Sequence, residues 1–507
     1  MTKRGNTLKL LAMFVLGSLT ATIITLLLAP RSGKEARAQI KSRSLGIVDR
    51  VRTIRQRTKD TLGLKRISNW GNYPQAQVKF FEFEDRRTLQ KLLSRLDHVI
   101  PRGNGRCYGD SSLAPQVIST LSYNKFLSFD HENGTICCQS GVILADMLTV
   151  IVPKGWFLPV TPGTKLITVG GAIASDVHGK SQHKAGNFSD HVLEMEVMLG
   201  DGTVMRCSKD ENSELFWTTC GGMGLTGVIL KATLRLIPIE TAYIRQESIR
   251  ARNLEHLMDL FEQSESWTYS VAWIDCLTTG RTMGRGILMR GEHASLSDLQ
   301  TDQQRQDPLS LERTRKLNVP INFPGFALNS VSVRLFNTVI YTRHAKEPVS
   351  SIEHYNTFFY PLDWVSNWNR IYGKTGFTQY QFILPKAQSR TGLTEILTRI
   401  AERGMGSFLA VLKLYGRQNG YLPFAMAGYS LALDFPIKPG LFEFLDELDR
   451  IVLSYGGRLY LTKDARMNKQ MFWRSYPNVE QFINRVEALN HGAKFRSFQS
   501  DRVGITG

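Results

Sequence analysis

The sequence predicts a mixed α/β or α+β body behind a single membrane-spanning segment. An uncharged apolar run occupies residues 10–28, and short apolar strand patterns alternate with helical stripes from Asn69 onward. Of the 507 residues, 42% are apolar and 21% are charged, which is ordinary globular usage and excludes disordered and fibrous classes. At about 150 residues per domain, a chain of this length is expected to form two to four domains.

The positive charge of the chain is concentrated near its N-terminus. The net charge is +18, yet residues 1–66 hold 15 basic and 3 acidic side chains, so +12 lies there and only +6 lies in the other 441 residues. Basic residues beside an apolar run favour anionic lipid headgroups over a nucleic-acid groove. No nucleic-acid partner is expected.

The apolar run LLAMFVLGSLTATIITLLL is long enough, at about 1.5 Å per residue, to cross most of a hydrocarbon layer of about 30 Å. It exceeds the core of a signal peptide, and Ala29-Pro30-Arg31 is a poor cleavage site, so an anchor is favoured over a cleaved signal. More Lys and Arg residues follow the run than precede it, which favours a single-pass anchor with the body in the cytoplasm. The stretch LLLAPRSGKEAR also resembles the start of YtxH-like bacterial membrane segments.

Residues 44–67 have apolar side chains at helical spacing and a basic opposite face. This pattern predicts a linker helix on the membrane surface, with a solvated charged helix as the alternative.

The body shows recognisable elements in order along the chain. Strand patterns occupy residues 78–83, 135–138 and 228–236. Helical patterns occupy residues 89–96, 143–152 and 214–217.

The six cysteines show no regular spacing and no CxxC pair. This argues against a disulfide framework or a zinc site and indicates a reducing compartment, and no metal site is expected. The cysteines are Cys107, Cys137, Cys138, Cys207, Cys220 and Cys276.

Residues 222–227 match the GxGxxG pattern of dinucleotide-binding folds. That pattern should follow a strand and open a helix, whereas here a helical run precedes it and an alternating strand follows. The sequence therefore excludes a Rossmann site at this position.

Two other glycine loops predict a ligand. PRGNGRCYGD (101–110) combines flexible backbone with Arg102 and Arg106, a combination that suits a pyrophosphate. TPGTKLITVGGAIASDVHGKSQH (161–183) is rich in small residues that let a planar ring system approach the backbone. Ligand binding explains the two loops together better than structural turns do.

Together with GGMGLTGVI (221–229), these loops resemble the vanillyl-alcohol-oxidase-type (PCMH-type) family of FAD-binding oxidoreductases. Within the family, the similarity extends to the flavin subunits of polyprenyl-phosphate sugar 2′-epimerases. It runs in order from Asn69 to the C-terminus, through YSVAWID (269–275), SFLAVLKLYG (407–416) and GGRLYLTKDAR (456–466).

The resemblance implies an α+β fold in which a two-part FAD-binding domain carries an inserted substrate domain built on an antiparallel sheet, preceded by one transmembrane helix. The domain limits are 1–67 for the anchor and linker, 68–242 for the FAD-binding domain, 243–457 for the substrate domain and 458–507 for the return to the FAD-binding domain.

The resemblance also implies FAD as the cofactor. Because Arg106 stands where relatives with a covalent flavin have a histidine, the FAD is expected to be non-covalent. The FAD contacts that carry over are Arg102, Gly103, Asn104, Gly105, Arg106, Cys107, Tyr108, Gly109, Asp110, Gly163, Thr164, Thr168, Gly170, Gly171, Ser175, His178, Gly179, Ile229 and Tyr460.

Active-site positions carry over in the same way. Lys463 is the leading catalytic candidate, with Tyr460 and Tyr108 as candidate proton relays. Gln379 and Gln381 alternate on a strand and are expected to hydrogen-bond sugar hydroxyls from one face. The remaining substrate-binding candidates are Lys413, Lys180 and Trp273, with the two lysines expected to bind a phosphodiester.

Three departures from the family pattern leave the identity of the sugar open: Ala432, Ser430 and Phe359 stand where members have Cys, Asn and Tyr.

The sequence leaves three candidate functions. The first is hydride transfer to FAD from a secondary hydroxyl of a lipid-linked sugar, as the oxidase half of a 2′-epimerase with an NAD(P)H-dependent ketoreductase partner. The second is oxidation of soluble aldonolactones or alditols, and the third is a catalytically silent, membrane-anchored flavin-fold protein.

Overall fold

A computed structural model describes residues 63–311, 317–325 and 327–507. The predicted membrane span at 10–28 lies outside the described residues. Within these ranges, no helix is both long and apolar enough to cross a membrane.

Three sheets form the framework, and their strands are numbered here in chain order. The first sheet has the order β1-β2-β4-β3 and contains β1 (Leu64–Ser68), β2 (Gln75–Glu82), β3 (Ile100–Arg102) and β4 (Gln116–Ser119). The antiparallel second sheet has the order β5-β6-β10-β8-β9 and contains β5 (Phe126–Asp130), β6 (Thr135–Gln139), β8 (Val192–Met198), β9 (Val204–Ser208) and β10 (Val228–Arg235). The third sheet has eight strands in the order β16-β12-β14-β13-β19-β20-β18-β21.

All neighbouring strands of the third sheet are antiparallel. Its strands are β12 (Tyr243–Ala251), β13 (Tyr269–Ile274), β14 (Gly286–His293), β16 (Val349–His354), β18 (Phe377–Pro385), β19 (Ala410–Tyr415), β20 (Gly428–Pro436) and β21 (Arg458–Leu459). Two small pairs complete the strands, β7 (Trp156–Phe157) with β11 (Ile237–Pro238) and β15 (Leu317–Asn318) with β17 (Val365–Ser366).

The α-helices of the described residues pack on these sheets. They are α1 (Arg86–Arg95), α2 (Leu144–Ile151), α3 (Val169–Ala174), α4 (Gln182–Ala185), α5 (Ser213–Thr219), α6 (Leu254–Glu262), α7 (Asp302–Gln306), α8 (Ser330–Arg343), α9 (Tyr355–Phe359), α10 (Lys386–Arg403), α11 (Leu441–Ser454), α12 (Lys469–Ser475), α13 (Val479–Leu489) and α14 (Phe498–Arg502). Short 3-10 turns occupy Val152–Lys154, Phe188–His191, Gly280–Thr282, Leu296–Asp298, Trp368–Tyr372 and His491–Ala493.

The strand and helix patterns of the body are confirmed, with ends shifted by no more than a few residues. Residues 222–227 connect α5 to β10, so the exclusion of a Rossmann site is also confirmed. The linker-helix prediction is wrong at its C-terminal end, because Leu64–Ser68 pairs with β2 as a strand. The rest of that stretch lies outside the described residues.

Four apolar clusters lie within the described residues, and two of them are large. The larger core packs α6, α10 and α11 on the third sheet, through residues such as Leu257, Leu397 and Leu448. The second core fills the space between the second sheet and α2, and it also takes in Tyr269 and Phe359 from the region of the third sheet. The chain segments of the second and third sheets therefore share a core, and the functional site lies beside it.

The C-terminal tail returns to the first sheet. Phe495 forms a parallel bridge with Val99, and the Phe498 N–H donates to the Leu113 carbonyl at 2.9 Å. The prediction of a mixed α+β body with a large antiparallel sheet is confirmed.

Candidate active site

A cavity of about 1460 Å³ lies between the two glycine loops and the third sheet. Its wall is formed by the loops at 101–108 and 161–180 and by side chains from β13, β18, β19 and β20. Small-molecule sites commonly measure about 300–1,000 Å³. This cavity therefore has room for a large cofactor and a second molecule beside it.

The fold brings the predicted site residues to this one cavity, with two exceptions. Asp110 instead receives a hydrogen bond from Arg502 at 2.7 Å. A Cβ added to Gly109 would lie 1.8 Å from the Asp464 carbonyl oxygen, so only glycine permits the backbones to approach so closely. Gly109 and Asp110 therefore fix the C-terminal tail against the first glycine loop and do not line the cavity.

The two glycine loops contact each other directly. The Asn104 side chain donates to the Leu166 carbonyl at 2.7 Å. A Cβ on Gly103 would lie 2.2 Å from Thr168 Oγ1, and Thr168 in turn caps α3 by accepting from the Gly171 N–H at 3.1 Å. Small residues here therefore let one loop rest on the other.

Arg102, which was predicted to bind a pyrophosphate, lines the cavity and also holds protein groups. Its guanidinium donates to the Ser68 carbonyl at 2.8 Å and to Ser112 Oγ at 3.1 Å, and it also contacts Asn69. Arg102 therefore ties the start of the body to the first loop. Arg106 lies over the Trp70 ring, 4.3 Å from its centroid.

The residues of the cavity wall fit FAD. Ser140 Oγ and His178 Nδ1 are buried, line the cavity and have no hydrogen-bond partner within the described chain. Because unpaired buried polar atoms are costly, they indicate a ligand that supplies the missing partners. A Cβ on Gly163 would meet no protein atom within 4 Å, which leaves the backbone there open to a flat ring.

A charged cluster lies around Lys463. Its ammonium group lies 3.8 Å from the centroid of the Tyr108 ring. Asp434, which is 1% exposed, accepts from Gln379 Nε2 at 2.6 Å and from the Tyr372 hydroxyl at 3.1 Å. The cluster joins the first glycine loop to β18 and β20.

Burial dominates the pKa values in this cluster. It lowers the pKa of Lys463, an effect that Lys413 reinforces and Asp434 opposes. It raises the pKa of Asp434, although Gln379 and Lys463 counteract the shift. Burial also raises the pKa of Tyr108 well above its usual range, so Tyr108 stays protonated and acts as a hydrogen-bond donor.

Lys180 and Lys413 place further positive charge in the same cavity. Burial lowers the pKa of Lys413 to about 8. Burial, together with the charge of Lys413, lowers the pKa of Lys180 to about 7. Lys180 Nζ donates to the Phe358 carbonyl and lies 4.2 Å from the centroid of the Phe358 ring. Nearby anionic groups on a ligand would stabilise the charged form of both lysines.

The other predicted residues have defined positions. Gln381 Nε2 lies 3.1 Å from His178 Nε2, and with the amide N–H as the donor the His178 proton is on Nδ1. The Tyr460 hydroxyl donates to the Ser175 carbonyl at 2.8 Å, which ties Tyr460 to the second glycine loop by a hydrogen bond. Trp273 donates to the Phe408 carbonyl at 3.1 Å and forms part of the wall.

Two carboxylates of this region, buried Asp434 and half-buried Asp363, were not predicted from the sequence. Asp434 is the only charge in the apolar strand β20, a signal that marks it as a buried carboxylate needing partners. Asp363 accepts from Thr164 Oγ1 at 2.7 Å and from the Lys165 N–H at 2.8 Å. It joins the second glycine loop to the segment before β17, and it lies in a loop with no pattern that could identify it.

A protein-family model and individual known proteins match the chain. A family model described as an FAD binding domain matches residues 83–208. Decaprenylphosphoryl-beta-D-ribose oxidase of Mycolicibacterium smegmatis is 34% identical over 452 residues, which cover 87% of this chain and 98% of that protein. An uncharacterised protein of Streptomyces coelicolor is 31% identical over 373 residues, which cover 72% of this chain and 100% of that protein.

A further relative matches a shorter part of the chain. The glycolate oxidase subunit of Bacillus subtilis is 32% identical over 149 residues, covering 28% of this chain and 32% of that protein. The cavity fits FAD, and the similarity to the mycobacterial oxidase spans almost the full length of both chains. The chain therefore belongs to the family of FAD-linked oxidoreductases with a PCMH-type FAD-binding domain, and FAD is its cofactor.

Proposed function

We propose that this protein oxidises a secondary hydroxyl of a sugar carried on a polyprenyl phosphate, as the oxidase half of a 2′-epimerase. The observation that carries the proposal is that one cavity contains two charged regions, each suited to a different part of the substrate. The Lys463 cluster suits removal of a hydroxyl proton, and Lys180 and Lys413 suit an anionic group. The full-length similarity to an oxidase of a decaprenylphosphoryl ribose supports the same substrate class.

The charge balance around the two lysines supports a phosphate. Within the described part of the chain, no carboxylate contributes to the pKa of Lys180 or Lys413. Burying such cations is costly unless a negative charge arrives with the ligand. A phosphodiester supplies that charge, whereas a neutral lactone or alditol does not.

Oxidation of the alcohol releases a hydride and a proton. FAD, when bound, supplies the two-electron acceptor for the hydride. Neutral Lys463 accepts the hydroxyl proton, because its lowered pKa makes the free amine accessible near neutral pH. Tyr108 donates a hydrogen bond, and Gln379 and Gln381 orient hydroxyl groups of the sugar from the β18 side.

The proposal also covers where the protein is located and which second enzyme completes the epimerisation. A polyprenyl substrate resides in the bilayer, and the apolar run at 10–28 suits a single-pass anchor with the body on the cytoplasmic side. The keto sugar formed must be reduced on its other face to complete epimerisation. That step requires an NAD(P)H-dependent ketoreductase as partner.

Anaerobic flavin bleaching tests the proposal. The full-length holoprotein is mixed without oxygen with a short-chain polyprenyl-phospho-ribose analogue, and the visible flavin absorbance is followed. Bleaching by this analogue, and not by free ribose or lactones, is the expected result. Bleaching by soluble lactones or alditols would instead indicate an oxidase of soluble sugars, and flavin that none of these compounds reduces would contradict an enzymatic role on sugars.

A further inference from the structure

Helix α8 (Ser330–Arg343) has apolar side chains on a face that the protein leaves in solvent. One face is buried through Val333, Asn337 and Tyr341. Another side carries Val331, Leu335 and Val339, spaced by four residues, and these are 73%, 67% and 36% exposed. We call these three residues the α8 stripe. A helix that is apolar on its outer face as well as its inner face requires a second apolar environment.

This exposure is concentrated in one part of the molecule. Thirteen large apolar residues are exposed among the described residues, and six of them lie between positions 317 and 349. The three most exposed are Val331, Ile321 and Leu335, all in that segment. Single exposed apolar residues are ordinary, but a concentrated group marks an interaction surface.

The charges around the stripe select the kind of partner. Residues 317–346 contain no Asp or Glu, while Arg334, Arg343 and Lys346 are basic. Along the chain the apolar stripe therefore lies in a segment with an excess of positive charge, with Glu347 as the first acidic residue after it, and such a surface suits the interface of a bilayer with anionic headgroups.

The same helix forms part of the cavity wall. Half-buried Phe336 and Ile340 and exposed Arg343 line the cavity. A bilayer that covered the stripe would therefore lie against the wall of the cavity. An apolar chain could then pass from the bilayer to the cavity without crossing bulk water.

We propose that the α8 stripe docks on the surface of an anionic lipid bilayer and brings the cavity to the membrane. This contact is separate from the N-terminal apolar run. Its evidence does not depend on which sugar is oxidised, although a lipid-linked substrate would give it a purpose.

A fluorescent dye attached to the α8 stripe of the full-length protein tests whether the stripe itself contacts the bilayer. Leu335→Cys is labelled with an environment-sensitive fluorophore, and Leu127→Cys, an exposed position on β5, is the matched control. Both variants keep residues 1–62, so a difference between them reports the stripe alone. Unsubstituted protein treated with the same dye gives the background from half-exposed Cys107 and Cys137.

We expect emission at position 335 to rise about threefold with vesicles of phosphatidylglycerol and phosphatidylcholine, because the dye moves into the acyl boundary. Nitroxide lipids should quench it, and phosphatidylcholine vesicles alone should give a smaller rise. Adding Val331→Ser and Val339→Ser should reduce the response several-fold while the flavin absorbance stays unchanged.

Three outcomes would overturn the proposal. The first is no rise at position 335 in protein that sediments with the vesicles. The second is an equal rise at position 127. The third is a rise that needs no vesicles and grows with protein concentration, which would indicate a second copy of the chain on the stripe. Flavin bleaching by the short-chain analogue needs no vesicles, so the proposed function is tested separately.

Discussion

Asp434→Asn is expected to shift the pH dependence of catalysis toward acid. The Asp434 carboxylate raises the pKa of Lys463, and the substitution removes its charge while keeping its size. A close opposite charge moves a pKa by about 1–3 units, so the loss of the Asp434 charge should lower the pKa of Lys463 by up to that amount. Since Lys463 must be neutral to accept a proton, flavin reduction should reach its plateau at lower pH.

The stability cost of Asp434→Asn should be small. The variant loses a charge-assisted hydrogen bond from Gln379 but also avoids burying a carboxylate, so the free energy of unfolding should change by about 1 kcal/mol. Stopped-flow flavin reduction by the short-chain polyprenyl-phospho-ribose analogue, measured across pH at saturation, provides the assay. Asp97→Asn, at an exposed position, is the control and should leave the pH profile of flavin reduction unchanged.

Lys413→Met should shift the pH profile of flavin reduction in the opposite direction. Lys413 lowers the pKa of Lys463, so removing its charge should move the profile toward alkaline pH. The reasoning would be refuted if Asp434→Asn moved the profile to higher pH or left it unchanged in a variant that retains FAD. It would also be refuted if both variants moved the profile in the same direction.

Three further predictions concern single residues. Lys463→Ala should keep the visible flavin absorbance and lower the rate of flavin reduction by about 10²–10⁴-fold, the usual contribution of a positioned acid or base; an unchanged rate would remove Lys463 from the mechanism. Lys180→Met should lower kcat/KM by about 10–100-fold for the phosphate-bearing analogue, the worth of one charge-assisted hydrogen bond, and a loss of flavin would mean that Lys180 serves the cofactor instead. Arg502→Met leaves buried Asp110 and Asp464 without their shared cation and should lower the free energy of unfolding by about 3–5 kcal/mol in calorimetry. Arg502, Arg466 and two backbone N–H donors together outweigh burial and hold the pKa of Asp464 below its usual value, so this loss should shrink as acid protonates the carboxylates. The control for Arg502→Met is Arg305→Met, in an exposed pair with Asp302, which should change the free energy of unfolding by about 1 kcal/mol or less.

Local features of this protein could be predicted from the sequence because they depend on neighbours in the chain. The alternating pattern at 228–236 forms β10, and the two glycine loops line one cavity. The same reasoning was wrong for Leu64–Ser68, which helical spacing assigned to a linker but which pairs with β2 as a strand. Pairing with β2, the next strand along the chain, overrides the helical pattern because it gives the backbone groups of β1 hydrogen-bond partners.

The roles of individual charged groups were decided by the tertiary structure. Asp434 stands opposite Gln379 only because β18 and β20 pair in this register. Arg502 reaches Asp110 across 392 positions of the chain, and the Arg102 guanidinium donates to the Ser68 carbonyl at the start of the body. The sequence by itself predicted a ligand at two glycine loops, because residue size and backbone freedom act locally, and the family resemblance identified that ligand as FAD. Which charges meet, and how far burial shifts their pKa values, depends on contacts between distant segments, and only the folded chain decides those.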